Sequence, residues 1–226
     1  MTRRGQVIAI VGAESTGKST LATTLAQAIA SDTGLACVAV GEHLREWCDA
    51  AGRTPRVDEQ RAIALEQQRR IDAAAAAHDI VVADTTPLMT AIYSSLLFDD
   101  ASLVATAVAA HRRIDLTLLT ALDLPWIADG HQRDGAHVRE PVDRALRRLM
   151  LEQGLGWSVV AGLGAARLAC ALDAATPLLA RRAAPGAGLF SRLAAREAVQ
   201  PAWQWVCDKC DVPDCEHVAL RSLQRR

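Results

Sequence analysis

Short apolar runs rich in β-branched residues alternate along the chain with longer stretches in which apolar positions recur at helical spacing. The runs fall at 7–11, 35–40, 79–83, 115–120 and 157–160. Each is apolar at mostly consecutive positions, the pattern of a strand covered on both faces. The segments between them are long enough for crossover helices, so the pattern predicts an α/β domain on a five-stranded parallel sheet, a three-layer sandwich. The longest helical segment, 57–77, places Ala64, Leu65, Ile71 and Ala75 on one side and a Gln/Arg-rich face opposite. Its alanine run at 73–77 is good helix former and no sign of low complexity. The chain shows no internal repeat. Composition shifts at Pro177, followed by Arg181, Arg182 and a Pro-Gly-Ala-Gly stretch at 185–188. The expected organisation is a core domain at 1–176, a linker or helix at 177–200 and a Cys/His-rich tail at 201–226.

Where the first run meets the first helical segment, residues 12–20 read GAESTGKST. This is the phosphate loop G-x-x-x-x-G-K-[ST], placed between a strand and a helix as that motif requires. Gly12 and Gly17 let the backbone curl, so that N–H groups across Glu14, Ser15, Thr16, Gly17 and Thr20 point at a nucleoside triphosphate lying on the helix N-terminus. Lys18 is expected on the β- and γ-phosphates and the Ser19 hydroxyl on Mg²⁺. Kinases, switches and motors share this loop, so it predicts ATP binding and leaves the function open.

Ligands of open α/β sheets bind beyond the carboxyl ends of the strands. Glu42, His43, Arg45, Glu46 and Trp47 follow the second run. The third ends in Asp84, four apolar residues and a carboxylate in the form of a Walker-B element. Asp84 either serves Mg²⁺ or the acceptor as base, or caps the next helix beside Thr85, Thr86 and Pro87. Glu42 is either the competing base or a first-turn acid favoured by the helix dipole. After the fourth run, 124–139 mixes Gly130 and Gly135 with His131, Arg133, His137 and Arg139, a composition suited to a lid. Phosphoryl transfer needs neutralised charge and excluded water, so Arg133 and Arg139 are the lid cations expected to act in catalysis, with Arg144 a weaker third.

Net charge is −1 and hydrophobic content 50%. Neither a basic footprint for nucleic acid nor an apolar run long enough to span a membrane is present, which predicts a cytoplasmic protein with a small-molecule substrate, compatible with a homo-oligomer. Cys37, Cys48 and Cys170 lie in apolar contexts and read as buried thiols.

The loop GAESTGKSTL, the EHLREW segment at 42–47, the ADTTPLMTAIYS run at 83–94 and the lid that begins DLPWIADGHQRDG at 123–135 together resemble the NadR-type ribosylnicotinamide kinase family over residues 5–176. The resemblance implies a P-loop NTPase fold with sheet order 2-3-1-4-5, ATP and Mg²⁺, and phosphorylation of the 5′-hydroxyl of nicotinamide riboside. It places Lys18 and Ser19 on ATP and metal, Asp84 at the acceptor ribose or metal, and Arg133 and Arg139 in the lid. Glu46, Trp47 and Tyr93 become substrate residues, the two aromatics stacking on the pyridinium ring. Arg167 lies where related kinases line the adenine. Such proteins often carry a nucleotidyltransferase or helix-turn-helix domain ahead of the kinase; here five residues precede the first strand, so neither activity is expected. Another nucleoside or small alcohol as acceptor, or an ATP-dependent regulatory role, are the alternatives.

The tail reads C-x₂-C-x₄-C-x-H through Cys207, Cys210, Cys215 and His217. Three thiolates and an imidazole fill a tetrahedral shell, which predicts a closed, structural Zn²⁺ site in a zinc-knuckle-like segment. Asp208, Asp211, Asp214 and Glu216 oppose a phosphate backbone there, so the knuckle is not expected to bind nucleic acid.

Overall fold

The computed structural model describes residues 4–126 and 136–180. Arg133, His131, the 181–226 segment and the four expected zinc ligands Cys207, Cys210, Cys215 and His217 lie outside the described residues. Five strands form one parallel sheet: β1 (Gln6–Val11), β2 (Cys37–Val40), β3 (Ile80–Asp84), β4 (Leu116–Thr120) and β5 (Ser158–Val160), in the order β2-β3-β1-β4-β5. Among the described residues seven α-helices connect or follow them: α1 (Lys18–Thr33), α2 (His43–Ala51), α3 (Gln60–Ala77), α4 (Pro87–Phe98), α5 (Val104–His111), α6 (Arg139–Glu152) and α7 (Gly164–Leu179). This is the P-loop NTPase architecture.

Alternation along β1 divides its side chains between two buried layers. Val7 and Val11 face one layer, Val7 with Val81, Ala83, Ile71 and Ala75, and Val11 with Leu119, Leu88, Ala107 and Leu146. Helices α3 to α6 thus cover that face. Helices α1 and α7 contact each other and the strands on the other, where Ile8, Ile10, Leu25 and Ile29 are fully buried. Because both of its faces are covered, β1 is apolar at every buried position from Val7 to Val11. β1 sits between β3 and β4, so the chain leaves it toward one edge and later returns to the other. The loop after β1 therefore opens at the switch point of the sheet, where ligands bind. In register, Ile10 lies beside Asp84 and Val11 beside Leu119, which puts Asp84 and Thr120 on either side of that loop.

Several boundaries differ from expectation. β2 starts at Cys37, because the Ala36 carbonyl turns to accept the N–H groups of Asp79 and Ile80 at 2.9 and 3.1 Å. Residues 57–59 form a 3-10 turn, and α3 proper buries Gln60, Ile63, Ala64, Gln67, Ile71 and Ala75. Leu65, assigned inward from the sequence, is 56% exposed, one step off that stripe. Pro177 does not end α7, which runs two residues further and buries Leu178 and Leu179. Of the three cysteines among the described residues, Cys48 alone is buried; Cys37 on the edge strand and Cys170 on α7 are half-buried. Burial pushes the Cys37 thiol up to about 12 and that of Cys48 to about 11. Among the described residues no helix is long and apolar enough to cross a membrane.

Candidate functional site

The phosphate loop is shaped from below by two threonines. Gly12 has φ +147°, and a Cβ there would stand 2.1 Å from Thr120 Oγ1, so no other residue fits. Thr120 Oγ1 donates to the Val11 carbonyl at 3.2 Å and meets Thr16 Oγ1 at 2.7 Å, while Thr16 Oγ1 reaches the Ala13 carbonyl at 2.8 Å. Thr16 is fully buried and its hydroxyl belongs to the loop's frame. Ser15 and Gly17 both adopt positive φ, 54° and 74°, turning the backbone on itself as an anion nest requires. Gly17 caps α1 without a side-chain bond and the first turn of α1 carries no acid, so the positive end of the helix dipole faces the loop uncompensated by a carboxylate of that turn. Lys18 Nζ lies against the Ala13 carbonyl at 2.9 Å, and Ser19 is exposed in the first turn of α1.

Arg167 is 5% exposed and braces this loop from behind. Its Nη2 donates to the Thr16 carbonyl at 2.8 Å, and its Nη1 to Asp123 Oδ1 at 2.8 Å and the Gly162 carbonyl at 2.9 Å. Asp123 also accepts the Gly162 N–H at 2.6 Å. Burial pulls the Asp123 carboxyl upward, but Arg167 and the Gly162 amide outweigh it and hold it below the usual carboxylate value. Arg167 thus joins the loops after β4 and β5 to the phosphate loop. Arg139, the first residue of α6, is 8% exposed. Its Nη1 donates to the Leu124 carbonyl at 2.8 Å, while Nε and Nη2 are buried without partners. Arg144 and His137 are exposed.

Asp84 closes β3 at 3% exposure, and its Oδ1 has no partner. The helix-capping alternative for Asp84 does not hold: Thr86 is the N-cap of α4, accepting the Leu88 N–H at 3.4 Å, with Pro87 at the first helical position. Glu42 is the N-cap residue of α2 but makes no side-chain cap bond. The α2 terminus is instead satisfied by buried Gln67, whose Oε1 accepts the His43 N–H at 2.7 Å and whose Nε2 donates to the Gly41 carbonyl at 3.3 Å.

Beside the phosphate loop opens a cavity of about 340 Å³. Glu14, Ser15 and Lys18 form its phosphate end; Glu42 before α2, Arg45 and Cys48 of α2 and Gln60 of α3 form one wall, Thr85, Met89, Tyr93, Leu97 and Phe98 the other, and Thr54 and Pro55 the rim. Glu42 and Tyr93 thus line the same cavity as Lys18. Glu46 and Trp47 are not among the lining residues. Glu46 is exposed and pairs with Arg70 at 2.7 Å. The Trp47 ring faces the Arg53 guanidinium at 5.0 Å, and Arg53 in turn grips Glu59 through two bonds of 2.7 and 2.6 Å. Sequence reasoning missed Gln60, Thr85 and Thr120. Only Thr85 carried a signal, as the residue after the strand-end carboxylate. Among the described residues no group of three or more His, Cys, Asp or Glu side chains is placed to hold a metal.

The AAA domain family model matches residues 7–167. A NadR protein crystallised in complex with NR is 23% identical, with a TM-score of 0.62, over 76% of this chain and 50% of the other. A NadR protein in complex with NAD and AMP-PNP is 22% identical, with a TM-score of 0.60, over 76% and 49%. The chain thus spans about half the length of these proteins, and the likeness shows a shared fold. No curated protein matches the chain.

Proposed function

The chain belongs to the AAA domain family, and on that premise we propose that it is an ATP-dependent kinase that phosphorylates a nucleoside hydroxyl, with nicotinamide riboside as the favoured acceptor. The observation that carries the reading is the cavity itself. It shares Ser15 and Lys18 with the phosphate loop, so a molecule seated there would meet the terminal phosphate of a bound triphosphate. A switch or motor would not need a second, half-apolar chamber opening on the γ-phosphate. The four sequence motifs resembling ribosylnicotinamide kinases support the acceptor, and Tyr93 on the cavity wall is an aromatic face for a pyridinium ring.

ATP with Mg²⁺ fits the residues present. The uncapped α1 terminus and the Gly12 turn receive phosphates, and the oxygen donors Ser19 and Asp84, the latter with an unpartnered Oδ1, suit a hard cation that keeps most of its waters. When bound, Mg²⁺ neutralises charge on the β- and γ-phosphates. In the reaction the acceptor oxygen bonds to the γ-phosphorus as the bond to the bridging oxygen breaks, and ADP leaves with that electron pair. The acceptor's proton passes to a carboxylate. Glu42 lies on the cavity wall and Asp84 behind it at the strand end, so Glu42 takes the proton and Asp84 serves the metal. Lys18 follows the charge on the transferring group, and Arg139, with two unpartnered nitrogens, supplies a second cation from the base of the 124–139 segment together with Arg133. Arg167 acts on the nucleotide through the loops it braces.

The test is ADP release by the purified chain with MgATP and a panel of nicotinamide riboside, purine and pyrimidine nucleosides. Release stimulated most by nicotinamide riboside supports the full reading. Stimulation by another nucleoside only keeps the kinase and changes the acceptor. ATP binding without acceptor-stimulated release on any member refutes it.

A further inference from the structure

Thr85 carries two costs at once. Its φ is +71°, a left-handed conformation that glycine adopts freely and a β-branched residue adopts only where its surroundings impose it. It is 4% exposed, and its Oγ1 is buried with no hydrogen-bond partner. This is not a frayed strand end, because the Thr85 N–H donates to the Ile10 carbonyl at 3.0 Å and so ties the turn to the strand that bears the phosphate loop. The next residue is the contrast. Thr86 spends its hydroxyl twice inside the protein, accepting from the Leu88 N–H and meeting His111 Nδ1 at 3.2 Å. Thr85 spends its hydroxyl on nothing, yet it lies on the cavity wall with Ser15, Lys18, Met89 and Tyr93.

A strained backbone and an unpaired buried hydroxyl both lower stability, and proteins retain such costs together where a ligand repays them. We infer that Thr85 is a substrate-contacting residue of the acceptor site, its Oγ1 hydrogen-bonding a sugar hydroxyl of the acceptor. The inference rests on the kinase reading and sharpens it. A threonine hydroxyl both donates and accepts, as a sugar hydroxyl does, whereas the neighbouring Asp84 carboxylate only accepts. The left-handed turn is what brings the Thr85 side chain to this wall while Asp84 stays at the strand end. A rotation about χ1 between staggered wells changes which γ atom faces the cavity, so the contact forms without moving the backbone.

The distinguishing property is that stability and activity should move in opposite directions. Thr85→Gly relieves the backbone and removes the unpaired hydroxyl, so its Tm without ligands should exceed wild type by about 2–4 °C. Its kcat/KM for nicotinamide riboside should fall by about tenfold or more with KM for ATP unchanged, the loss expected of one hydrogen bond to a buried site. Thr85→Val, which keeps the shape without the hydroxyl, should show the same loss in kcat/KM. Thr85→Ser should stay within about threefold of wild type, since it keeps the hydroxyl. A Thr85→Gly protein that is less stable than wild type, or as active, makes Thr85 a structural residue and overturns the inference. A wild-type protein that releases no ADP with any nucleoside refutes the kinase reading and this role together; an active wild type with an equally active Thr85→Gly variant refutes the role alone.

Discussion

Two carboxylates compete for the acceptor proton, and their surroundings separate them. Glu42 lines the cavity at the N-cap position of α2 without capping it, because Gln67 supplies the bonds that would otherwise recruit a side chain there. Asp84 is 3% exposed, absent from the cavity wall, and in register with Ile10 two positions before the phosphate loop. Glu42→Gln should therefore lower kcat by about a hundredfold or more with little change in KM for ATP, the size of a lost general base. Asp84→Asn should instead raise the Mg²⁺ concentration needed for half-maximal rate. Steady-state kinetics over a Mg²⁺ titration separates the two, and a mild Glu42→Gln beside an inactive Asp84→Asn with normal Mg²⁺ dependence exchanges the roles. The positions of Lys18 and Ser19 at the start of α1 and of Asp84 at the end of β3 were legible from local sequence alone, since strand, loop and helix fix them relative to one another. Trp47 and Glu46 were not legible in that way. Their partners lie 6 residues on, Arg53 in the α2–α3 connection, and 24 residues on, Arg70 in α3, and only the folded chain shows that both side chains are engaged by residues outside the cavity lining.

At the scale of elements, the α2–α3 connection has a latch. Arg53 holds Glu59 with two bonds, donates to the Thr54 carbonyl at 3.0 Å and covers the Trp47 ring, while Glu59 also accepts the Arg56 N–H at 2.7 Å. Arg53 above all, with the Arg56 amide, holds the Glu59 carboxyl down at about 2. The connection so fixed carries Thr54 and Pro55 at the cavity rim and leads into Gln60 on its wall. Arg53→Ala should loosen that wall and raise KM for the acceptor by about tenfold, while KM for ATP stays put, because the lost contacts support ground-state binding on one side only. Arg53→Lys should recover part of the loss through charge but not the bidentate geometry. Equal increases in both KM values would mean that the latch serves the whole domain. β1 and β3 were plain in the sequence because burial on both faces makes Val7–Val11 and Ile80–Ala83 unbroken apolar runs. The helix face of α3 was not. A buried stripe that includes Gln60 and Gln67 and omits Leu65 defeats a reading by hydrophobicity, and those glutamines are inside because one meets the cavity and the other caps α2.

Across the whole molecule, one buried imidazole joins elements that are distant in sequence. His111 ends α5 at 4% exposure, with Nε2 2.9 Å from Thr117 Oγ1 on β4 and Nδ1 3.2 Å from Thr86 Oγ1 at the start of α4. A neutral ring offers one donor and one acceptor, and each threonine hydroxyl can rotate to match it, so the bridge forms in either tautomer. Protonation would remove the acceptor and strand a charge in the core. Burial accordingly pushes His111 down to about 4, from an ordinary value near 6.5. Between those two values the unfolded chain binds a proton that the folded chain refuses, so stability rises with pH there. The contribution is complete above about pH 6.5 and is lost as pH falls toward 4. Glu59 and Glu66, held near 2 by their arginines, lose their share only as pH falls below the ordinary carboxylate range toward 2, which leaves the upper window to His111. Urea unfolding at pH 7 and pH 4.5 should show the wild type losing roughly 2–3 kcal/mol that a His111→Gln variant, which keeps hydrogen-bonding capacity without a titrating ring, does not lose. The variant starts lower at pH 7 if the bridge contributes as placed, and its curve runs flatter with acid. Parallel losses in both proteins would show that the acid sensitivity of the fold arises elsewhere, and that the α4 turn bearing Thr85 is held by packing and not by this bridge.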